Sequence, residues 1–136
     1  QIRAVAAGEC DLAVANTYYY GRMIKAGGDA AEAAEQVELV WPNQSGRGAH
    51  VNVSGAGITK HGPHPDNAVR LLSFLLNPDS QRWYAEVNNE YPVRPGVEAT
   101  PVVASWGEFK ADDINLSELG KRNAEAVRLM DRAGWR

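Results

Sequence analysis

Cysteine occurs once in this chain, at Cys10, so no internal disulfide can form and cysteine usage marks no redox compartment. No apolar run approaches the ~20 residues that a membrane-spanning helix needs. Basic residues are outnumbered: 14 Lys and Arg stand against 17 Asp and Glu, a net charge of −3 with the signs interspersed. That balance excludes the basic stripe of a nucleic-acid surface. Catalytic patterns are missing too. Ser54 and Ser105 lack the Gly-x-Ser-x-Gly frame of a nucleophile elbow. Gly55-Ala56-Gly57 opens a dinucleotide fingerprint but meets Lys60 where the third glycine belongs. His61-Gly62-Pro63-His64-Pro65 is a surface turn before it is a metal clasp, and His50 is a packed or exposed strand residue. Glu108, Asp112 and Asp113 are expected in a solvated loop. No set of residues suggests an enzyme. The chain also opens without the charged-then-apolar leader of a signal peptide.

What is present is ordinary globular composition, 44% apolar and 23% charged, in 136 residues that suffice for a domain core. Apolar runs and helical patterns alternate. The start, Gln1 to Ala7, has the pattern of a helix's last turns, closed by Gly8 in a left-handed cap. Strands are expected at residues 11–15, 37–41 and 50–53, with another at 58–60. Helices are expected at about 18–26, after Gly27-Gly28 at 29–36, and at 66–76. The last is so apolar that burial on most sides is expected. Asn77 with Pro78 caps a further helix, and Leu116, Leu119, Val127, Met130 and Ala133 mark one face of a final helix or helix pair. Trp41, Trp83, Trp106 and Trp135 are candidate anchors of the core or surface. Asn43, Asn52 and Asn115 match the glycosylation pattern and nothing more.

The stretch Asn16-Thr17-Tyr18-Tyr19-Tyr20-Gly21-Arg22 carries the chemistry. It joins the apolar run Asp11-Leu12-Ala13-Val14-Ala15 to a helix that Asn16 or Thr17 can cap. Ligands of open α/β sheets bind where a strand ends and a helix begins. Phenols there suit a hard, highly charged cation, which prefers oxygen ligands. A free phenol, with a pKa of about 10, is neutral at working pH, but a bound metal displaces the proton. Consecutive helical residues point about 100° apart, so Tyr18 and Tyr19 can reach one ion only at the first turn. The competing reading is an aromatic patch that grips a core or an interface.

The segment Gly8-Glu9-Cys10-Asp11-Leu12-Ala13-Val14-Ala15-Asn16-Thr17-Tyr18-Tyr19 resembles the ferric-iron-binding proteins of bacterial ABC importers. The resemblance runs on through Trp41-Pro42-Asn43-Gln44, His50-Val51-Asn52-Val53-Ser54-Gly55-Ala56-Gly57 and Leu75-Leu76-Asn77-Pro78-Asp79-Ser80-Gln81. It ends with Asn89-Glu90-Tyr91-Pro92-Val93 and Ala104-Ser105-Trp106-Gly107-Glu108-Phe109-Lys110, and so covers essentially the whole chain. The tyrosine pair in its strand–helix frame is specific to the iron binders, whereas Leu-Asn-Pro-Asp-x-x-Gln is shared by many solute-binding proteins.

The resemblance implies an α/β, periplasmic-binding-protein-like, two-lobed fold of type II, of which this chain is the carboxy-terminal half. It implies that Tyr18 and Tyr19 are metal ligands, and that Tyr20 is not. Asn16 either helps to hold an accessory anion or only caps the helix. Arg22 either balances charge behind the ligands or is a solvated helix residue. A further tyrosine, often with a histidine or carboxylate, is implied upstream, so the chain is expected to be the carboxy-terminal portion of a longer precursor. Residues 1–48 are expected in the lobe with the tyrosine pair, 49–99 in the segment returning to the amino-terminal lobe, and 100–136 back in the first. The implied function is capture of iron(III) in the periplasm and delivery to a membrane permease, with no catalysis and no nucleic acid. The alternatives are a receptor for another anion or metal complex, and an enzyme on the same two-lobed scaffold.

Overall fold

The structure, a computed structural model, describes residues 1–135. Its helices are α1 (Ile2–Ala6), α2 (Thr17–Ala26), α3 (Gly28–Glu35), α4 (Pro65–Leu75), α5 (Pro78–Asn88), α6 (Pro101–Ala104) and α7 (Ser117–Ala133). They belong to two compact units. One comprises Gln1–Val40 and Asn52–Glu108, the other Trp41–Val51 and the chain from Phe109 onward.

In the first unit, local chemistry sets the helix ends. Beyond α1, Gly8 takes the left-handed conformation, φ 73°, that a residue with a Cβ resists. At the head of α5, Asn77 Oδ1 accepts from the Ser80 N–H at 2.8 Å while Pro78 occupies the first turn. That cap satisfies a donor the helix cannot pair internally. Thr100 and Pro101 repeat the device at α6, with the Val103 N–H donating to Thr100 Oγ1. Packing pairs α2 with α3, α1 with α3, and α4 with α5. Ala34, Ala85, Val103 and Trp106 are buried among them. Gln81 is buried as well and ties the end of α4 and the loop at Val93 to α5: its Nε2 donates to the Leu75 carbonyl at 2.8 Å, and its Oε1 accepts from the Val93 N–H at 2.9 Å.

The second unit is held by a crossing of distant segments. Ala49 and Ala111 form a parallel bridge, with the Ala49 N–H on the Lys110 carbonyl and the Asp112 N–H on the Ala49 carbonyl, both at 2.8 Å. Gln44 clamps the same crossing from its side chain, accepting from the Lys110 N–H at 2.7 Å and donating to the Lys110 carbonyl at 3.2 Å. Trp41 stacks on Phe109, centroids 4.0 Å apart and 13° between planes. Helix α7 leaves Leu119, Val127, Leu129 and Met130 exposed.

Three local expectations need correction. The segments expected as strands do not pair: among the described residues the only bridge is Ala49 with Ala111, outside any named strand. A strand needs a ladder partner for its backbone groups, and residues 11–15 lack one here, leaving Leu12 84% and Val14 82% exposed. Helix α4 is not buried on most sides: it packs with α5 and exposes Val69, Leu71 and Phe74. Asp112 is not solvated. Its side chain is 8% exposed, receives Arg47 Nε at 3.2 Å and accepts from the Ile114 N–H at 3.1 Å. The expected lobe segments 1–48, 49–99 and 100–136 concern a longer receptor and are taken up below as part of a proposal.

Candidate metal centre

The tyrosines lie where the non-helical segment 11–15 turns into α2. Asn16 is the N-cap residue, in extended conformation at φ −74° and ψ 140°, and Thr17 begins the helix. Within this first turn the rings of Tyr18 and Tyr19 come together, centroids 4.5 Å apart and tilted by 52°. Tyr18 is half-buried and Tyr19 is 48% exposed. The guanidinium of Arg22, one turn on, lies 5.5 Å from the centre of the Tyr18 ring, at cation–π range. Tyr20 goes elsewhere: it meets Trp106 edge-on at 6.3 Å, and Tyr91 meets the same indole at 6.1 Å.

Asn16 does not use its side chain as a helix cap. Its Nδ2 donates to the Tyr18 hydroxyl oxygen at 3.1 Å, and its Oδ1 accepts from Asn52 Nδ2 at 3.3 Å. Asn16, Tyr18, Tyr19 and Arg22, singled out from the sequence, therefore stand together. Asn52 joins them from 36 residues away; it lies in a segment that carries the family resemblance and in a glycosylation pattern, but neither singles it out as a site residue.

The electrostatics of Tyr18 follow from these neighbours. Its pKa is raised above the ordinary phenol value, first by hydrogen bonding with Tyr19, then by desolvation and by the charge of Tyr19. The charge of Arg22 and the hydrogen bond from Asn16 oppose the rise. Without a cation, Tyr18 is thus a neutral phenol at pH 7, and a metal coordinated there has to displace a proton. Two phenol oxygens, an amide donor and a guanidinium can hold a hard cation with its accompanying anion. Among the described residues no three His, Cys, Asp or Glu cluster in a metal-binding group, and no helix is long and apolar enough to cross a membrane.

Residues 2–111 match the model of a family described as bacterial extracellular solute-binding protein. The chain belongs to that family of receptors. Over 99% of its length it is 49% identical to iron uptake protein A2 of Synechocystis sp., covering 40% of that protein. It is 27% identical to the major ferric iron-binding protein of Neisseria meningitidis serogroup B, covering 99% of this chain and 40% of that one. A solved Trichodesmium structure, IdiA (FutA) in complex with iron and citrate ligands, superimposes on the whole chain with a TM-score of 0.95 at 44% identity, matching 43% of that structure. The fold is accordingly that of the type II, periplasmic-binding-protein-like receptors. The chain spans about two fifths of the length of the relatives it matches.

Proposed function

We propose that this chain is part of a periplasmic receptor that captures ferric iron and delivers it to the membrane permease of an ABC importer. Tyr18 and Tyr19 bind the ion through their phenolate oxygens. Arg22 offsets the negative charge behind them, and Asn16 supports the site or an accessory anion. The observation that carries this reading is the Tyr18–Tyr19 ring pair at the head of α2, in a chain so similar to an iron uptake protein. Two phenolates fill only part of the coordination sphere of a hard cation. The remaining ligands come from upstream in the receptor.

In that receptor residues 1–48 and 100–136 contribute to the lobe with the tyrosines, and 49–99 return to the other lobe. The apolar segment 11–15 finds its ladder partners there. Iron bridges the lobes and closes them, a hinge motion common to such receptors, and no bond of a substrate is made or broken. Titrating the receptor that contains this chain with a chelated ferric salt tests the proposal. A visible phenolate-to-iron charge-transfer band that saturates with one iron is expected. Absence of that colour, or turnover of a substrate in its place, defeats it.

A further inference from the structure

Tyr18 is held on several sides. Tyr19 packs against its ring, Arg22 lies over its face, and Asn16 reaches its oxygen. Besides the hydroxyl bond with Tyr19, that last contact has a direction that can be reversed. An asparagine amide presents an acceptor on one side and two donors on the other, and a half-turn of its terminal bond exchanges them. Facing Tyr18 with its oxygen, Asn16 would accept the phenol O–H and hold that proton in place. Facing it with its NH2, Asn16 donates and leaves the tyrosine oxygen an acceptor, the form that a coordinating oxygen takes.

The other end of the Asn16 amide meets Asn52. Its Nδ2 donates to Asn16 Oδ1 at 3.3 Å, while Asn16 Nδ2 donates to Tyr18 at 3.1 Å. Asn16 also forgoes the usual use of its oxygen. At an N-cap that oxygen ordinarily accepts from the helix N–H groups, yet no side-chain cap bond forms at α2. The oxygen is committed to Asn52.

We propose that Asn52 is a positioning residue for the tyrosine pair: by donating to Asn16 Oδ1 it fixes the Asn16 amide with its NH2 toward the Tyr18 oxygen. Its action on the pair runs through the hydrogen bond to Asn16. The inference rests on the reading of Tyr18 as an iron ligand for its consequence, but not for its geometry. Donation to a coordinating phenolate withdraws electron density from its oxygen and raises the energy of the phenolate-to-iron transition. Loss of the donor moves the band to longer wavelength.

The test compares Asn52→Ala, Asn52→Asp and Asn52→Gln in the receptor that contains this chain. In the iron-free protein, labelled with 15N-asparagine, the Asn16 amide protons should show a cross-relaxation contact with the Tyr18 ring. Asn52→Asp supplies only acceptors, so the Asn16 amide should invert and the contact weaken several-fold. Asn52→Ala should give intermediate, averaged signals, and Asn52→Gln should recover part of the native contact. In the ferric protein, Asn52→Ala and Asn52→Asp should shift the band to longer wavelength and lower ferric affinity several-fold. An added carboxylate acting by charge alone would raise that affinity, which separates the two effects. An Asn16 amide unchanged in all three variants overturns the proposal. So does an inverted amide with an unmoved band and affinity, which would confine Asn52 to the fold. If Tyr18→Phe keeps wild-type affinity and colour, the ligand reading fails instead, and the iron-free amide measurement still decides the geometry.

Discussion

A methyl group added to Gly21 would lie 2.7 Å from Cβ of Asn89, closer than such atoms approach in real proteins. The absent side chain lets the tyrosine helix α2 press against the end of α5, where Asn89 is 1% exposed and sits in the left-handed region at φ 58°. Trp106 closes the same contact, 3.2 Å from the would-be methyl. Gly21 follows Tyr20, which rests on that indole, so the close approach anchors the helix that starts with the tyrosine pair.

Gly21→Ala should therefore destabilise the fold by about 1–2 kcal/mol. Overpacking costs about 1–3 kcal/mol, and the better helix propensity of alanine returns at most about 1 kcal/mol. The midpoint of denaturant unfolding should fall. Adding Asn89→Gly should restore part of the loss, since glycine accepts the left-handed backbone and removes the blocking side chain, whose amide atoms have no hydrogen-bond partner in the structure. Simple additivity of the two changes would show that the residues do not press on one another.

The three consecutive tyrosines should respond differently to loss of the hydroxyl. Tyr18→Phe and Tyr19→Phe should each weaken ferric binding at least tenfold and bleach or shift the visible band of the receptor. Tyr20→Phe keeps the ring that packs on Trp106 and should bind iron like the wild type. Equal ferric titrations and spectra for all three variants would remove the metal centre from this helix.

The 136-residue chain alone should bind ferric iron weakly or not at all. Its two phenols leave most of the coordination sphere to water, and the raised pKa of Tyr18 favours the protonated form. The chain should also self-associate, because α4 presents Leu71 and a 62% exposed Phe74 to solvent. Chelate titration together with size-exclusion chromatography checks both points. A tight, coloured, monomeric complex would be the contrary result.

Alkaline pH should weaken the fold through Tyr91. Burial raises its pKa above the ordinary phenol value of about 10. The folded state then holds a proton that the unfolded state releases, so this contribution is complete below about pH 10 and declines as pH rises through the folded pKa. Tyr91→Phe should flatten that decline. Denaturant midpoints of the two proteins from pH 8 to 11 give the comparison, and parallel curves would rule the effect out.

The second unit should depend on Asp112 more than its position in a polar segment suggests. Asp112→Ala removes the acceptor of both the Ile114 N–H and Arg47, at a cost of about 1–3 kcal/mol for a buried charged partner. Lys110→Ala should cost less, because it removes only an exposed bond from Nζ to the Gly46 carbonyl and keeps the backbone groups that bond Gln44 and Ala49. Thermal unfolding of each variant gives the order.

Some of this was legible one segment at a time. Asn77 with Pro78 and Gly8 act on backbone groups within a few residues of themselves, so a local pattern suffices to place those helix ends; the start of α6 at Thr100 and Pro101 is local too but was not among the expected helices. The tyrosine pair was equally visible, because two phenols at a helix start are a matter of order along the chain. The strands expected from apolar runs do not pair in this chain for the opposite reason. Apolar character at 11–15 or 37–41 is necessary for a buried strand, but the ladder that makes one is supplied from elsewhere. Asp112 lies among polar residues, and only the crossing at Ala49 brings Arg47 to it.

The amino-acid order by itself thus determined the family resemblance, the helix ends at Gly8 and Asn77-Pro78, and the chemistry offered at Tyr18 and Tyr19, since each depends on neighbours in sequence. Tertiary structure alone decided that Asn52 meets Asn16, that Gly21 lies under Asn89, and that Tyr20 turns to Trp106 while its two neighbours pair. Those contacts join residues 36, 68 and 86 positions apart, and the meeting of such distant residues is set by how packed elements cross, which no local periodicity encodes.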